Sequence, residues 1–174
     1  MSATNSPSRP LLVTDCDEVL LYMVAPFKAW LDEEHDIDFD FSGGDFAKAL
    51  IDRKTREAVK PGDIWPLLGA FFDTEMYRQT PITGAVEALK AIGEHADSVV
   101  LTNLMDDRQQ ARSEQLARFG LHHRVVCNQG PKGEPLKRIV EEHNPSVAIF
   151  VDDLPQHHES AAEHVPHVWR LHMV

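Results

Sequence analysis

The sequence predicts an α/β protein built on a parallel β-sheet with helices on both faces. Two observations predict it. From Pro81 onwards, short apolar runs of strand length alternate with stretches of helical periodicity, and polar residues follow these runs at their carboxyl ends. Strands joined by right-handed helical crossovers pair in parallel, so their carboxyl ends meet at one edge of the sheet. Ligands of open α/β sheets bind at that edge, where we expect the functional residues.

Length and composition fit one ordinary domain with a small insert. The chain has 174 residues, of which 43% are hydrophobic, enough for a core without metal or disulfide cross-links. Its formal net charge of −11 disfavours nucleic acid or an anionic membrane as a partner, because both need a basic surface. The same charge would repel a phosphorylated substrate, so a site for one would need a cation.

The cysteines and the first ten residues predict a cytoplasmic protein. Cys16 and Cys127 form neither a disulfide framework nor a metal-binding spacing, and we expect both to be small buried residues. Residues 1–10 are rich in Ser, Thr, Asn and Pro and lack the charged and apolar regions of a secretory signal, so we expect a flexible tail. No run approaches membrane-spanning length.

Residues 22–80 predict a helical insert without a convincing β run. Apolar residues at helical spacing predict three helix faces, at 27–31, 46–50 and 65–72, separated by a break at 39–45 and by Lys60-Pro61-Gly62. The aromatic residues are expected to form the core of the insert. Its basic residues fit either an anion-binding surface or a solvated helix face, and these residues are Arg53, Lys54, Arg56 and Lys60.

From Pro81 the pattern alternates regularly between helix and strand. Helices are predicted at 82–96, 106–119, 134–143 and 159–165, and strands at 98–101, 124–127, 147–151 and 167–173.

The first strand, 11–14, leads into two carboxylates, Asp15 and Asp17. Side chains repeat every two residues in a strand, so both acids point the same way from its end. A single Asp there often caps a turn, whereas a pair with further polar signals downstream favours chemistry.

Four groups of residues are expected to meet at the carboxyl edge of the sheet. They are Asp15 with Asp17, Thr102 with Asn103, Lys132, and Asp152 with Asp153. Acids this close repel one another unless a divalent cation lies among them, and oxygen ligands favour Mg²⁺. A carboxylate nucleophile, a hydroxyl and a lysine suit phosphoryl transfer. Turn formation, solvation of the lysine and helix capping remain alternatives for the separate pieces.

Taken in order, these residues resemble the four motifs of the haloacid dehalogenase-like (HAD) superfamily, which read hhhhDxDx, hhhh(S/T), a later Lys and hhhhDD. The matching segments are 11–17, 99–103, Lys132 and 148–153, and the resemblance extends to about Met173. It implies a Rossmann-like three-layer α/β/α sandwich with the first strand central. Residues 11–21 and 81–174 would form this core, and 22–80 a small helical C1 cap.

The resemblance implies that Asp15 is the nucleophile, forms an aspartyl-phosphate and binds Mg²⁺. Asp17 would protonate the leaving oxygen and then activate the hydrolytic water, while its backbone carbonyl also binds the metal. Asp152 would be a metal ligand, and Asp153 a ligand directly or through water.

The remaining matched residues would bind phosphate. Thr102 would contact the transferring phosphoryl group with Asn103 beside it, and Lys132 would neutralise charge on that group and on Asp15. Lys137 is the alternative lysine, but it lies inside the following helix, whereas Lys132 lies at its start, where anions bind.

The resemblance implies a Mg²⁺-dependent phosphatase acting on a small phosphorylated metabolite. Dehalogenases of the family lack an acid at the position of Asp17, which favours phosphate esters here. Glu18 stands where many of the phosphatases have the Gly that eases a tight turn. This departure is the only support for the alternative of a weakly catalytic binding or regulatory protein, and the intact residues of the four motifs argue against that alternative. A phosphotransferase or phosphomutase is a further alternative. His157 and His158 follow Asp153 closely enough to lie near the rim of the site.

Overall fold

The computed structural model describes residues 8–40 and 46–174. The chain divides into two compact units, one combining the chain up to Leu21 with Pro81–Val174 and the other comprising Tyr22–Thr80. Most of the expected flexible tail, and residues 41–45 of the expected break in the insert, lie outside the described residues.

The elements of the described chain are seven strands and six α-helices. The strands are β1 (Leu11–Thr14), β2 (Ile37–Phe39), β3 (Leu50–Asp52), β4 (Asp97–Thr102), β5 (Arg124–Cys127), β6 (Ala148–Asp152) and β7 (Trp169–His172). The helices are α1 (Val24–His35), α2 (Pro61–Thr74), α3 (Ala85–Gly93), α4 (Gln109–Arg118), α5 (Gly133–His143) and α6 (Pro155–His164). In these described ranges, no helix is long and apolar enough to cross a membrane.

The first unit is built on a five-stranded parallel sheet in the order β5-β4-β1-β6-β7, with β1 at its centre. Thr14 at the end of β1 lies opposite Val100 of β4 and Val151 of β6. This is the strand order of a doubly wound sheet, whose ligand crevice opens at the carboxyl end of the central strand. The predicted α/β class and central first strand are confirmed.

Alternate residues of β1 enter two separate apolar cores, one on each face of the sheet. Leu11 and Val13 pack in a cluster with residues of α5 and α6. Leu12 packs in the other cluster, which contains Leu89 of α3 and Leu116 of α4. The alternation follows from the two-residue repeat of a strand, and it fixes the register of β1 because a slip of one residue would exchange the two faces.

The predicted elements of this unit are observed with shifted ends. Strand β5 matches its prediction, while α3 is shorter than the predicted 82–96 because Gly84, at φ 86°, delays its start. The predicted helix 106–119 is a 3₁₀ turn at Asp106–Arg108 followed by α4. Helix α6 begins at Pro155 rather than at residue 159, because proline is well placed in the first turn of a helix.

The second unit contains β-structure, so the prediction of a purely helical insert is wrong. Strands β2 and β3 pair antiparallel, and the predicted helix face at 46–50 is a 3₁₀ turn at Phe46–Lys48 followed by β3. Strands of three residues are too short to show a two-residue period, so neither strand could be predicted from the pattern.

Aromatic rings form the core of this unit, as the sequence predicts. Phe27 lies within 6.1 Å of the rings of Trp30, Phe39, Phe46 and Phe71, measured between centroids. Trp65 differs from the prediction because its side chain is 65% exposed.

Three of the four basic residues named for the insert pair with its own acids rather than covering a helix face. Arg53 pairs with Asp32 and, at 2.6 Å, with Asp38, which also accepts from Arg56 at 3.1 Å. Lys54 lies 3.1 Å from Asp36 in the same way.

Candidate active site

Two carboxylates and one lysine form the buried centre of the site. Asp15 follows β1 and Asp152 ends β6, and the Asp15 N–H donates to the Val151 carbonyl at 2.8 Å, so the two acids lie level across neighbouring strands. Lys132 Nζ lies 2.7 Å from Asp15 Oδ1 and 2.7 Å from Asp152 Oδ2. Asp15 is 6% exposed and the other two residues are fully buried. The sequence-predicted acids of two strands therefore share a single ammonium group.

A close approach between two helices places Lys132 at this position. Lys132 immediately precedes α5, and the next residue, Gly133, donates its N–H to Ser160 Oγ of α6 at 3.0 Å. A Cβ at Gly133 would lie 2.3 Å from the Ser160 carbonyl oxygen, so no other residue fits there without displacing a helix. Lys137, the alternative lysine, is only half-buried within α5.

Asp15, Asp152 and Asp153 lie close enough together to fit one metal ion. One carboxylate oxygen from each lies within 4.8 Å of the others. Burial raises the pKa of Asp15 to about 7; the charges of Asp152 and Asp17 raise it too, and Lys132 opposes them. Burial and the neighbouring Asp152 raise the pKa of Asp153 to about 6. One lysine therefore leaves negative charge uncompensated, and a hard divalent cation such as Mg²⁺ fits both the charge and the donor atoms.

The ammonium group of Lys132 remains charged in this environment. Burial alone lowers its pKa, but Asp15 and Asp152 raise it by more, so the net shift is upward. Lys132 is therefore a fixed positive charge at the carboxyl edge of the sheet.

Two histidines form hydrogen bonds with the backbone carbonyls of Asp152 and Asp153. His158 Nε2 donates to the Asp152 carbonyl at 3.0 Å, and His172 Nε2 donates to the Asp153 carbonyl at 2.9 Å. Their ring centroids are 5.1 Å apart. The sequence predicts His158 near the rim of the site. It does not predict His172 there, because the position of His172 depends on the pairing of β7 with β6.

The hydroxyl of Thr102 is buried without a hydrogen-bond partner among the described residues. Thr102 ends β4 and is fully buried. Its carbonyl accepts from the Asn128 and Leu104 N–H groups, but its Oγ1 has no hydrogen-bond partner among the described residues. Buried hydroxyls are nearly always paired, so an unpaired one at the carboxyl edge of the sheet keeps its capacity to donate and to accept a hydrogen bond.

Asn103 links two loops through its side chain. Its Nδ2 donates to the Gly130 carbonyl at 3.0 Å and lies 3.3 Å from His157 Nε2, while its Oδ1 accepts from Asn128 Nδ2 at 3.0 Å. Burial and the charge of Lys132 lower the pKa of His157, so this ring is a neutral acceptor at pH 7. The Asn103 side chain thus forms hydrogen bonds with Asn128 and Gly130 in the loop that leads to Lys132.

Asp17 does not belong to the cluster of Asp15, Asp152 and Asp153, and it pairs with a residue that sequence analysis missed. Both of its carboxylate oxygens accept from Arg112 Nη2, at 2.9 and 3.1 Å, and Arg112 Nη1 donates to Cys16 Sγ at 3.2 Å. Arg112 is fully buried in α4. Burial lowers its pKa, but Asp17, Cys16 and Asp15 together raise it by more, which leaves a net upward shift. One sequence signal was available, because Arg112 shares a helix face with the buried Leu116.

Glu18 occupies a left-handed position in the tight turn after the acids. Its φ is 57°, and the turn is closed by the Leu20 and Leu21 N–H groups, which both donate to the Cys16 carbonyl. A side chain in this conformation costs roughly 1–2 kcal/mol compared with a right-handed one, which explains why glycine suits the position. The charge of Glu18 also contributes to the raised pKa of Asp153.

A doubly wound sheet with acids after its two central strands and a lysine at the start of a crossover helix defines a recognisable class of α/β protein. Similar solved structures include a haloacid dehalogenase-like hydrolase from Streptococcus pneumoniae, with a TM-score of 0.66 and 10% identity over 97% of this chain and 85% of the other. A candidate phosphoglycolate phosphatase from Lactobacillus plantarum has a TM-score of 0.56 and 12% identity, covering 91% of this chain and 84% of the other. A candidate β-phosphoglucomutase from Thermotoga maritima has a TM-score of 0.56 and 13% identity, covering 95% of this chain and 87% of the other.

This chain therefore has the haloacid dehalogenase-like fold. No protein-family model and no curated protein matches the sequence.

Proposed function

We propose that this protein is a Mg²⁺-dependent phosphatase that hydrolyses a small phosphomonoester through a phosphorylated Asp15. The observation that carries the proposal is the buried group of Asp15, Asp152 and Lys132, in which two carboxylates share one ammonium. Asp153 completes a set of oxygen ligands. The Thr102 hydroxyl, which has no hydrogen-bond partner among the described residues, lies at the same edge of the sheet. A bound Mg²⁺ would polarise the phosphoryl group and neutralise its charge.

In the first half-reaction, an oxygen of Asp15 attacks phosphorus and the bond from phosphorus to the leaving oxygen breaks. Asp17 gives its proton to that oxygen, which leaves as an alcohol. Lys132 neutralises charge on Asp15 and on the transferring group, whose oxygens also meet the Thr102 hydroxyl.

In the second half-reaction, water attacks phosphorus and gives a proton to Asp17, and the bond between phosphorus and Asp15 breaks. Inorganic phosphate leaves, and both carboxyl groups return to their starting states.

The substrate we propose is a small phosphorylated metabolite in the cytoplasm, with the insert 22–80 in the role of a C1 cap. A phosphomutase or phosphotransferase is the second candidate, supported by the likeness to the candidate β-phosphoglucomutase. It would return the phosphoryl group from Asp15 to a second hydroxyl rather than to water. Adding candidate sugar acceptors to the assay distinguishes the two.

The test is release of inorganic phosphate from a panel of phosphomonoesters that includes an aryl phosphate, with Mg²⁺ and with chelator. We expect wild-type protein to release phosphate only with the metal, and Asp15→Asn to release none. Glu141→Gln is the matched control, because Glu141 is an exposed acid of α5 and its amide should leave the rate unchanged. Equal activity of wild type and Asp15→Asn, or full activity in chelator, would contradict the proposal.

A further inference from the structure

We propose that Arg112 is a positioning residue that fixes the carboxyl group of Asp17 for proton transfer to the leaving oxygen. The inference rests on the proposed function, since it assigns a partner to the proposed acid of that site.

The geometry of the pair supports a specific orientation of Asp17. The Arg112 Nη2 atom contacts both carboxylate oxygens, at 2.9 and 3.1 Å, and Nη1 contacts Cys16 Sγ at 3.2 Å. The guanidinium is planar and rigid, so the contact of Nη1 with Cys16 fixes the position from which Nη2 faces both oxygens of Asp17 and restrains the rotation of that carboxyl group.

Burial distinguishes this pair from an ordinary surface ion pair. The Arg112 side chain is fully buried, whereas that of Asp17 is 15% exposed. Asp17 therefore contacts the protein on one side and remains accessible on the other. A group that must meet a substrate oxygen needs this combination of a fixed orientation and an open approach.

The turn that carries Asp17 explains why a support is useful. Asp17 lies between the buried Cys16 and Glu18, whose left-handed backbone is unfavourable for a residue with a side chain. A short side chain on such a turn would otherwise sample several rotamers, and loss of orientation by about 1 Å can reduce a rate by roughly 10²-fold. The guanidinium of Arg112 selects one arrangement.

A purely structural role for Arg112 makes a different prediction from a positioning role. If Arg112 only stabilises the fold, its loss lowers the amount of active protein and affects every substrate equally. If it positions the acid, its loss matters most for esters whose leaving oxygen needs a proton. The ratio of kcat values on two esters is independent of the amount of folded protein, so it separates these roles.

The experiment compares an alkyl phosphate, a poor leaving group, with a nitrophenyl phosphate, a good one, for wild type, Arg112→Met, Arg112→Lys, Asp17→Asn and the double variant. General acids contribute roughly 10²–10⁴-fold, so we expect Asp17→Asn to lower kcat on the alkyl ester by about 10²-fold or more and much less on the aryl ester. Arg112→Met should shift the ratio in the same direction with KM changed by about twofold at most, because Arg112 does not touch the substrate.

The Arg112→Lys variant, the double variant and one control complete the comparison. Arg112→Lys should restore part of the ratio, and Arg112→Met should have no further effect on it in the Asp17→Asn background. Arg118→Met, which removes an exposed arginine from the same helix, should leave both kcat values unchanged.

An active wild type whose Arg112→Met variant keeps the wild-type ratio would overturn the inference alone. A wild type that hydrolyses neither ester, nor any other phosphomonoester, would overturn the proposed function and the inference together.

Discussion

The Lys132 ammonium lies 2.7 Å from the Asp15 carboxylate, and neither side chain is more than 9% exposed. The same nitrogen contacts Asp152, so one positive charge serves two buried acids. The stability of the fold and the proposed activity therefore depend on the same atoms. Unfolding and activity measurements on selected variants can separate the two effects.

Removal of the lysine should destabilise the protein strongly. In Lys132→Met the buried Asp15 and Asp152 carboxylates lose their common partner, and breaking a buried ion pair in this way costs roughly 3–5 kcal/mol. Denaturant unfolding in chelator should show this loss, whereas Lys137→Met should change stability by less than about 1 kcal/mol because Lys137 is only half-buried on α5. Equal effects of the two substitutions would contradict the assignment of Lys132 as the charge that holds the site.

Stabilisation by Mg²⁺ should grow as the pH rises. In the metal-free protein the pKa of Asp15 is about 7 and that of Asp153 about 6, both above the ordinary value of 3.8, so the folded state binds more protons than the unfolded state between pH 4 and 7. The free energy of unfolding of the metal-free protein therefore falls as the pH rises from 4 to 7. Above pH 7 both carboxyl groups are ionised, so a metal ion binds them without displacing protons. The rise in Tm caused by Mg²⁺ should be larger at about pH 8 than at about pH 5.5. A rise that is the same at both values, or one that persists in Asp15→Asn, would exclude the site.

Gly133→Ala should damage the site through the packing of α5 on α6. The new methyl group would lie 2.3 Å from the Ser160 carbonyl and 2.6 Å from Ser160 Oγ, so the start of α5 and the adjacent Lys132 must move. Overpacking of this kind costs roughly 1–3 kcal/mol, and we expect kcat to fall as well. Gly62→Ala is the control, since Gly62 in the first turn of α2 has nothing within 4 Å and alanine favours a helix. A stable and fully active Gly133→Ala variant would show that this contact does not place Lys132.

Replacement of Glu18 by glycine tests whether a side chain at this left-handed position lowers the stability and the activity of the protein. Glycine relieves a left-handed strain of roughly 1–2 kcal/mol but loses about 0.5–1 kcal/mol through the entropy of the unfolded chain, so a small net gain in stability is expected. Glu18→Ala removes the charge and keeps the strain, and it therefore separates the two effects. Thermal unfolding and phosphate release are measured on both variants. A loss of stability in Glu18→Gly that Glu18→Ala does not show would contradict the strain argument.

Much of the core could be predicted because its signals are local in sequence. The alternation of β1 between two apolar clusters, the acids after β1 and β6, and the position of Lys132 before α5 all follow from strand and helix patterns together with the rule that parallel strands end at one edge.

The contacts that sequence analysis missed depend on distant segments. Arg112 meets Asp17 from 95 residues away, and His172 reaches Asp153 only through the pairing of β7 with β6. The strands β2 and β3 were missed because each has three residues, too few for a period.

The most direct test of Asp15 as the nucleophile is to trap the phosphorylated protein by acid quench during turnover with Mg²⁺ and to map the modified residue by peptide mass spectrometry. We expect an acyl phosphate on Asp15 in the wild type and none in Asp15→Asn. A phosphoryl group on a different residue, or turnover at the wild-type rate in Asp15→Asn, would contradict this assignment.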